Sequence, residues 1–170
     1  RAMALRIRDE NTLDVPVIEA LTEAAFRHAP HRSGTEQHIV NALRRAGQLT
    51  LSLVAEEGGV IVGHVAVSPV SVSDGARDWY GLGPISVQPE LQGRHIGASL
   101  MHAALDGLRA RGAAGCVLVG EPAYYNRFGF RCVPGLVYPG IPPEYFMALS
   151  FGGSVAQGTV RYHAAFDATA

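Results

Sequence analysis

Residues 87–100 read Val-Gln-Pro-Glu-Leu-Gln-Gly-Arg-His-Ile-Gly-Ala-Ser-Leu, and this stretch decides the fold. The segment that enters it, Ile85 to Val87, is predicted to be a strand. After it, apolar residues recur at the spacing of a buried helix face: Met101, Ala104, Leu105 and Leu108. The pattern therefore predicts a strand, a loop and a helix that begins near Ile96.

The loop from Gln92 to Ala98 has the chemistry of a phosphate site. A helix amino terminus presents unpaired N–H groups and a partial positive charge, so it binds diphosphate readily. Glycines let the backbone approach phosphate without a Cβ in the way, and Arg94 adds a fixed cation. The local sequence equally fits a tight turn that needs glycine for its dihedral angles. A P-loop and a dinucleotide-binding Gly-x-Gly-x-x-Gly are excluded, because neither pattern is present.

Beyond the helix, the run from Cys116 to Val119 predicts a central strand that is covered on both faces. A strand, a helix and a strand in this order imply a parallel pair with a right-handed crossover. The tail predicts a Pro/Gly-rich loop at 134–143 and two further strands, Tyr145 to Phe151 and Thr159 to Phe166.

Before the loop, the pattern changes from helices to hairpins. Alternating or apolar runs predict strands at 4–8, 50–56, 60–68 and 79–87, and helical periodicity predicts helices from Asp14 and from Thr35. Gly58-Gly59 and Asp74-Gly75 supply hairpin turns. Pro69 and Pro84 cannot donate to a ladder and should lie at a bulge, an edge or a boundary. The expected fold is α+β, with a mixed, mostly antiparallel sheet flanked by helices.

Bulk composition limits the function classes. The chain has 170 residues, of which 48% are hydrophobic and 17% charged, which fits one globular domain over 1–170. A net charge of −1, without a run of like charge, argues against nucleic acid and anionic membranes as partners. Two cysteines do not build a disulfide framework, and Cys116 is expected to be a buried thiol. No long apolar segment is present, so we expect a cytoplasmic protein with no metal site.

The quoted stretch resembles the acetyl-CoA signature of the GNAT superfamily, Gln/Arg-x-x-Gly-x-Gly/Ala after a strand that ends in Val-x-Pro. Gln92 and Gly97 match, and His95 replaces the first glycine; the motif tolerates this replacement if His95 has negative φ and its imidazole points outward. A second motif, Tyr-x-x-x-Gly-Phe, matches at Tyr125, Gly129 and Phe130. The run Tyr-Tyr-x-Arg-Phe-Gly-Phe, with Gly63-His64 and Ser68-Pro69-Val70 upstream, is similar to the YhbS-like branch.

The resemblance implies an N-acetyltransferase that moves an acetyl group from acetyl-CoA to a primary amine of a small molecule or protein, by direct attack in a ternary complex. It implies that one parallel strand pair splays at the acetyl-CoA site. The implied cofactor-binding residues are Ile85, Ser86, Val87, Gln92, Gly93, Arg94, His95, Ile96, Gly97, Ala98, Tyr125 and Phe128. Tyr125 would protonate the departing thiolate, since a phenol stays protonated near neutral pH. Tyr125 could instead be a core aromatic or stack on the cofactor, and its neighbour Tyr124 should point elsewhere.

The general base and the acceptor site are not fixed by the sequence. Candidate bases are Glu121, His64, His28 and His31, and none stands out. By analogy with the family, His28 to Ser33 should line the acceptor pocket and Tyr145 and Phe146 should close it. We therefore take His28, His31, Glu121 and Tyr145 as candidate substrate residues.

Two alternative functions remain open. The chain could be a CoA-binding module that has lost catalysis and acts as a sensor or partner. It could also transfer a different acyl group, or transfer to a different acceptor, because the two motifs concern only the CoA portion. Strands near the C terminus could pair across a homodimer.

Overall fold

The computed structural model describes residues 4–29 and 33–170. The elements in chain order are β1 (Leu5–Asp9), α1 (Val15–Phe26), α2 (Glu36–Arg45), β2 (Leu51–Glu57), β3 (Val60–Val72), β4 (Trp79–Val87), α3 (Ile96–Ala110), β5 (Gly115–Val119), α4 (Pro122–Tyr125), β6 (Leu136–Val137), β7 (Phe146–Ser150) and β8 (Gly158–Tyr162).

The main sheet has the strand order β1-β2-β3-β4-β5-β7. All neighbours in this order are antiparallel except β4 and β5, which run parallel and are joined by α3. The far end of β3 pairs with β8, and β8 makes a second, two-residue parallel pairing with β6. The predicted α+β fold with its mixed, mostly antiparallel sheet is thus confirmed.

Helices cover both faces of this sheet. Neighbouring residues of β2 enter different clusters: Leu53 packs with the apolar face of α3, whereas Val54 packs with α1 and α2. This alternation is the period of a strand buried on both sides. The predicted apolar stripe of α3 is buried, as is Cys116, and burial raises the pKa of the Cys116 thiol above its ordinary value.

The turns and prolines lie where the sequence predicts them. Gly58 and Gly59 have positive φ, 60° and 81°, in the hairpin between β2 and β3. Pro84 lies in β4 opposite a register shift of β3, between Val65 and Val67. Pro69 lies in β3 after the last residue that pairs with β2 and before the first that pairs with β8.

The C-terminal tail differs from the prediction in two places. The expected strand to Phe166 ends at Tyr162, and residues 164–167 form a 3-10 turn. The cause is a local cap, because His163 Nδ1 accepts a hydrogen bond from the Ala165 N–H at 3.0 Å. In the predicted loop at 134–143, Leu136 and Val137 form the short strand β6.

No helix in the described part of the chain is long and apolar enough to cross a membrane. Within residues 4–29 and 33–170, no group of three or more His, Cys, Asp or Glu side chains is arranged to hold a metal ion.

Gly63 on β3 sets how closely the amino end of α3 approaches the sheet. A Cβ at this position would lie 2.9 Å from Leu100 Cδ1, 3.0 Å from Ile96 Cγ2 and 3.2 Å from the Ser86 carbonyl oxygen. Leu100 Cδ1 is the end of a flexible side chain, but Ile96 Cγ2 and the Ser86 carbonyl oxygen are held close to the backbone, so an added Cβ would crowd both the start of α3 and β4.

We therefore expect Gly63→Ala to lower the free energy of unfolding by roughly 1–3 kcal/mol, as overpacking typically does. Urea unfolding measures this loss. Gly107→Ala is the matched control, since Gly107 meets only the flexible Leu51 side chain near the other end of α3. Equal stability of Gly63→Ala and the unaltered protein would contradict the contact.

Candidate active site

Strands β4 and β5 separate after a short parallel stretch. Their pairing runs from Trp79–Gly115 to Gly81–Val117 and then stops. Beyond that point β4 pairs with β3 alone, up to Val87 opposite Gly63. The bulge near Pro84 coincides with this divergence, and bulges bend the strand that carries them. The β5-facing backbone groups of residues 82–87 therefore have no strand partner among the described residues, and a cleft of about 450 Å³ opens beside them.

The amino end of α3 forms one wall of this cleft. Ile96, Gly97 and Ala98, the first three residues of the helix, line it. His95 occupies the cap position, yet its side chain makes no hydrogen bond to the first turn. The backbone N–H groups of that turn thus lack a side-chain cap, and they carry the partial positive charge of the helix end.

The condition of negative φ at His95 is not met. His95 has φ of 65° and ψ of 11°, the left-handed conformation that non-glycine residues rarely adopt. Gly93, two residues before His95, also has positive φ, 85°. The chain needs this turn to pass from β4 into α3, so His95 adopts the backbone conformation that the glycine of the motif would supply.

Nine of the twelve expected cofactor residues line the cleft: Ile85, Val87, Gln92, Gly93, His95, Ile96, Gly97, Ala98 and Tyr125. The other three do not. Ser86 is buried on the opposite face of β4, and Phe128 packs edge-on against His102 with ring centroids 5.3 Å apart. Arg94 turns towards β2, where its Nη2 lies 3.2 Å from Glu57 Oε2. Its side chain is 48% exposed, so this ion pair is worth little.

Tyr125 lies at the end of α4, where the chain leaves β5. A Cβ at Gly120 would overlap the Tyr125 ring, so the absence of a side chain at 120 creates the space that the phenol occupies. Burial raises the pKa of Tyr125 to about 12, with a smaller contribution from Tyr124. The phenol is consequently protonated at any pH near neutrality and can donate a proton or a hydrogen bond.

Tyr124 does not point elsewhere, contrary to expectation. It lines the cleft, and a Cβ at Gly97 would lie 3.2 Å from the Tyr124 hydroxyl oxygen. Its ring is perpendicular to that of Tyr125, at 4.9 Å between centroids, and the Arg127 guanidinium lies 4.5 Å from its centroid. The i, i+3 spacing of Tyr124 and Arg127 on a helical turn was a usable signal for this pair.

A second cleft, of about 360 Å³, adjoins the first. Phe26, Ile85 and Tyr125 line both. The second cleft also reaches the C-terminal tail through Tyr138, Tyr162 and Phe166. Tyr125 therefore lies where a ligand bound in the first cleft would meet a ligand bound in the second cleft.

Comparison with known proteins identifies the family of this chain. The model of a family described as "Acetyltransferase (GNAT) domain" matches residues 6–133. The chain belongs to the GNAT acetyltransferase family. The predicted resemblance is thereby confirmed, including its YhbS-like character. Over 126 residues the chain is 39% identical to the Escherichia coli protein named uncharacterized N-acetyltransferase YhbS, covering 74% of this chain and 72% of YhbS.

Two solved structures resemble the whole chain. A GNAT family acetyltransferase from Brucella melitensis, crystallised with acetyl-CoA, is 47% identical with a TM-score of 0.87, covering 97% of this chain and 99% of that protein. Escherichia coli YhbS, crystallised with CoA, is 33% identical with a TM-score of 0.89, covering 100% of this chain and 96% of that protein.

The residues that were predicted to bind the acceptor in this GNAT-family chain do not lie together. His28 is exposed beyond the end of α1, and Glu121 is exposed at the start of α4. Tyr145 is partly exposed, and its carbonyl oxygen accepts from the Gly120 N–H at 2.9 Å. None of the three lines either cleft as the described residues bound it, and His31 lies outside the described residues. The expected Phe146 is buried near the start of β7.

His64, the remaining base candidate, belongs to a buried polar chain. Its Nε2 lies 2.8 Å from Ser52 Oγ, Ser52 donates to Glu10, and Arg44 forms two hydrogen bonds with Glu10. Burial lowers the pKa of His64 to about 4, against a smaller raising effect of Glu10 and a lowering effect of Arg44. His64 is thus neutral at pH 7 and does not line the clefts as the described residues bound them.

The strain at His95 is measurable. We expect His95→Gly to raise the free energy of unfolding by about 0.5–1 kcal/mol, because glycine adopts the left-handed conformation without steric cost and gives back only part of that gain as chain entropy. His95→Ala is the control, since it keeps the strain and should not stabilise. Urea unfolding of the three proteins checks the order, and a less stable glycine variant would contradict it.

The buried neutral His64 predicts a stability loss in mild acid. The folded-state pKa lies below the ordinary value of 6.5, so the unfolded chain binds more protons between about pH 6.5 and 4. The contribution of His64 is therefore full above pH 6.5 and is lost as the pH falls through that window, up to about 3 kcal/mol.

Urea unfolding at pH 7.5 and pH 5 measures this effect, with His64→Gln as the control because Gln retains a polar atom near Nε2 but does not titrate. The unaltered protein should lose more stability between the two pH values than the variant does. An equal loss in both would show that His64 does not resist protonation.

Proposed function

We propose that this GNAT-family chain transfers the acetyl group of acetyl-CoA to a primary amine in a ternary complex. One observation carries the proposal: an uncapped helix end and a freed strand edge meet at one cleft, beside a buried protonated phenol. These three features supply the separate needs of a CoA thioester, namely a site for its diphosphate, an edge for its pantetheine arm and a proton for its sulfur.

The cleft fits the donor. The N–H groups of Ile96, Gly97 and Ala98 would hold the diphosphate, and Gly93 leaves open space where a side chain would otherwise stand. The unpaired edge of β4 at Ile85 and Val87 would hydrogen-bond the pantetheine arm, as a sheet edge binds an added strand. The crystallisation of two similar proteins with acetyl-CoA and CoA supports this assignment.

Bound acetyl-CoA supplies an activated acetyl thioester for attack by the amine, after its ammonium form has lost one proton to solvent. As the N–C bond forms and the C–S bond breaks, the amine would lose a second proton, which would restore the phenol of Tyr125 after that phenol has protonated the sulfur. The backbone N–H groups at the free edge of β4 would donate to the acetyl carbonyl oxygen and stabilise the charge that develops there. Tyr125 holds a proton on its phenol at neutral pH and would donate it to the departing sulfur. The rings of Phe26, Tyr124 and Tyr125 line this part of the cleft and would shield the bound thioester from water.

Tyr125→Phe tests the acid role. Removal of the hydroxyl should lower kcat by about 10²-fold, the scale of a lost general acid, and leave the affinity for CoA within a factor of about 2 because the ring stays in place. Thiol release with an accepted amine measures kcat, and isothermal calorimetry measures CoA binding.

Tyr80→Phe is the matched control, since Tyr80 lies on β4 outside both clefts as described. Full turnover of Tyr125→Phe would remove the acid role and leave only a packing role for the ring. Absence of any CoA binding by the unaltered protein would overturn the proposed function as a whole.

A further inference from the structure

The second cleft is lined by residues of similar chemical character. Its described lining residues are apolar or aromatic, with one charged exception, Glu36. Tyr138, Tyr162 and Phe166 form a continuous aromatic wall, with ring centroids 4.9 Å and 4.7 Å apart along the row. Ile39 and Leu118 add aliphatic surface. The lining side chains favour a largely apolar ligand, because polar groups that reach neither Glu36, a tyrosine hydroxyl nor the free edge of β4 would lose their hydration without finding a partner.

Glu36 has one oxygen engaged and one without a partner. It opens α2 and is only 8% exposed. Its Oε2 accepts from the Ser33 N–H at 2.8 Å and from Ser33 Oγ at 3.0 Å. Its Oε1 is buried and has no hydrogen-bond partner among the described residues. A buried carboxylate oxygen in that condition is costly, and a donor that reaches it is favoured correspondingly.

A purely structural role explains only half of this carboxylate. The Ser33-to-Glu36 contacts resemble a capping box, and an acidic side chain in the first turn of a helix is favourable. Those effects need Oε2 and the charge. They leave Oε1 without a partner, in a residue that lines a cleft whose other described lining residues are uncharged.

We propose that Glu36 recognises the acceptor, which is a cationic amine carried on an apolar, preferably aromatic, body. This inference rests on the proposed function and names the substrate class of the same site. The ammonium group donates to Glu36 Oε1 when the acceptor binds, and its apolar body lies against the aromatic wall. Aromatic faces also attract cations, which reinforces the preference.

The position of the cleft relative to the donor supports the assignment. Tyr125, Ile85 and Phe26 line both clefts, so a molecule in the second cleft abuts the end of the donor cleft beside the phenol. The same carboxylate disfavours acceptors that carry a carboxylate or a phosphate next to the amine, since like charges repel strongly at a site shielded from water.

The test is binding to the CoA-saturated full chain, measured by isothermal calorimetry with three probes. Phenethylamine is cationic at pH 7.5, 2-phenylethanol is its uncharged counterpart, and phenylalanine adds a carboxylate. We expect phenethylamine to bind at least 10-fold more tightly than either comparator. Since this comparison uses the unaltered protein, it does not depend on any variant folding.

Glu36→Gln then removes the charge but keeps an oxygen for the Ser33 cap. It should abolish the preference for phenethylamine over 2-phenylethanol and leave CoA affinity unchanged. Glu23→Gln is the matched control, because the Glu23 side chain is 58% exposed and lies outside the second cleft as described. It should retain the full preference.

Two failures are distinguishable. If CoA does not bind at all, the proposed function is overturned. If CoA binds but the chain binds no phenethylamine, or binds all three probes alike, or if Glu36→Gln keeps the preference, the acceptor assignment is overturned while the donor site stands.

Discussion

The site depends on a single constraint, namely that β4 and β5 stay together for three residues and then separate. Hydrogen bonds between Trp79–Gly81 and Gly115–Val117 hold the pair at one end. After that, α3 has to cross from one strand to the other, and its amino end closes the wedge that the strands leave. A free strand edge and a free helix end are each costly when buried away from water. Because both lie at one cleft, a ligand that hydrogen-bonds to them would remove this free-energy cost, and the removal would contribute to its affinity.

Three glycines let neighbouring groups pack directly against the backbone around this cleft. Gly115 has no room for a side chain because the Trp79 ring lies against it, where the two strands are still paired. Gly63 brings α3 down onto β3, and Gly120 makes space for the Tyr125 ring at the other wall. All three have ordinary φ, so they are required for space and not for a turn. Substitution at any of them would move a wall of the cleft, which is a different effect from straining a loop.

The parts of the site that the sequence predicts are those set by local backbone patterns. The apolar period of α3 and the glycine-containing loop before it predict the helix end. The phenol of Tyr125 is implied only by the resemblance of Tyr125, Gly129 and Phe130 to the second motif of the family. His95 shows the limit, since the sequence does not reveal that a non-glycine residue would take φ of 65°. Phe26 and Glu36 could not be predicted, because only tertiary packing of α1 and α2 against β4 brings them to the clefts. His28 and Glu121 were chosen by analogy, and both are exposed outside the clefts as described.

This difference has a physical origin in the two halves of the site. The donor half consists largely of backbone groups: helix N–H donors and a strand edge, whose positions follow from dihedral angles that short motifs encode. In the proposed acceptor half, side chains from α1, α2, β5 and the tail join residues 82–85 of β4, and the one charge among the described lining residues comes from Glu36. If the second cleft binds the acceptor as proposed, side-chain substitutions there would change the acceptor, whereas a change of donor would require a different backbone. On this proposal the donor motifs of the chain place no constraint on the amine.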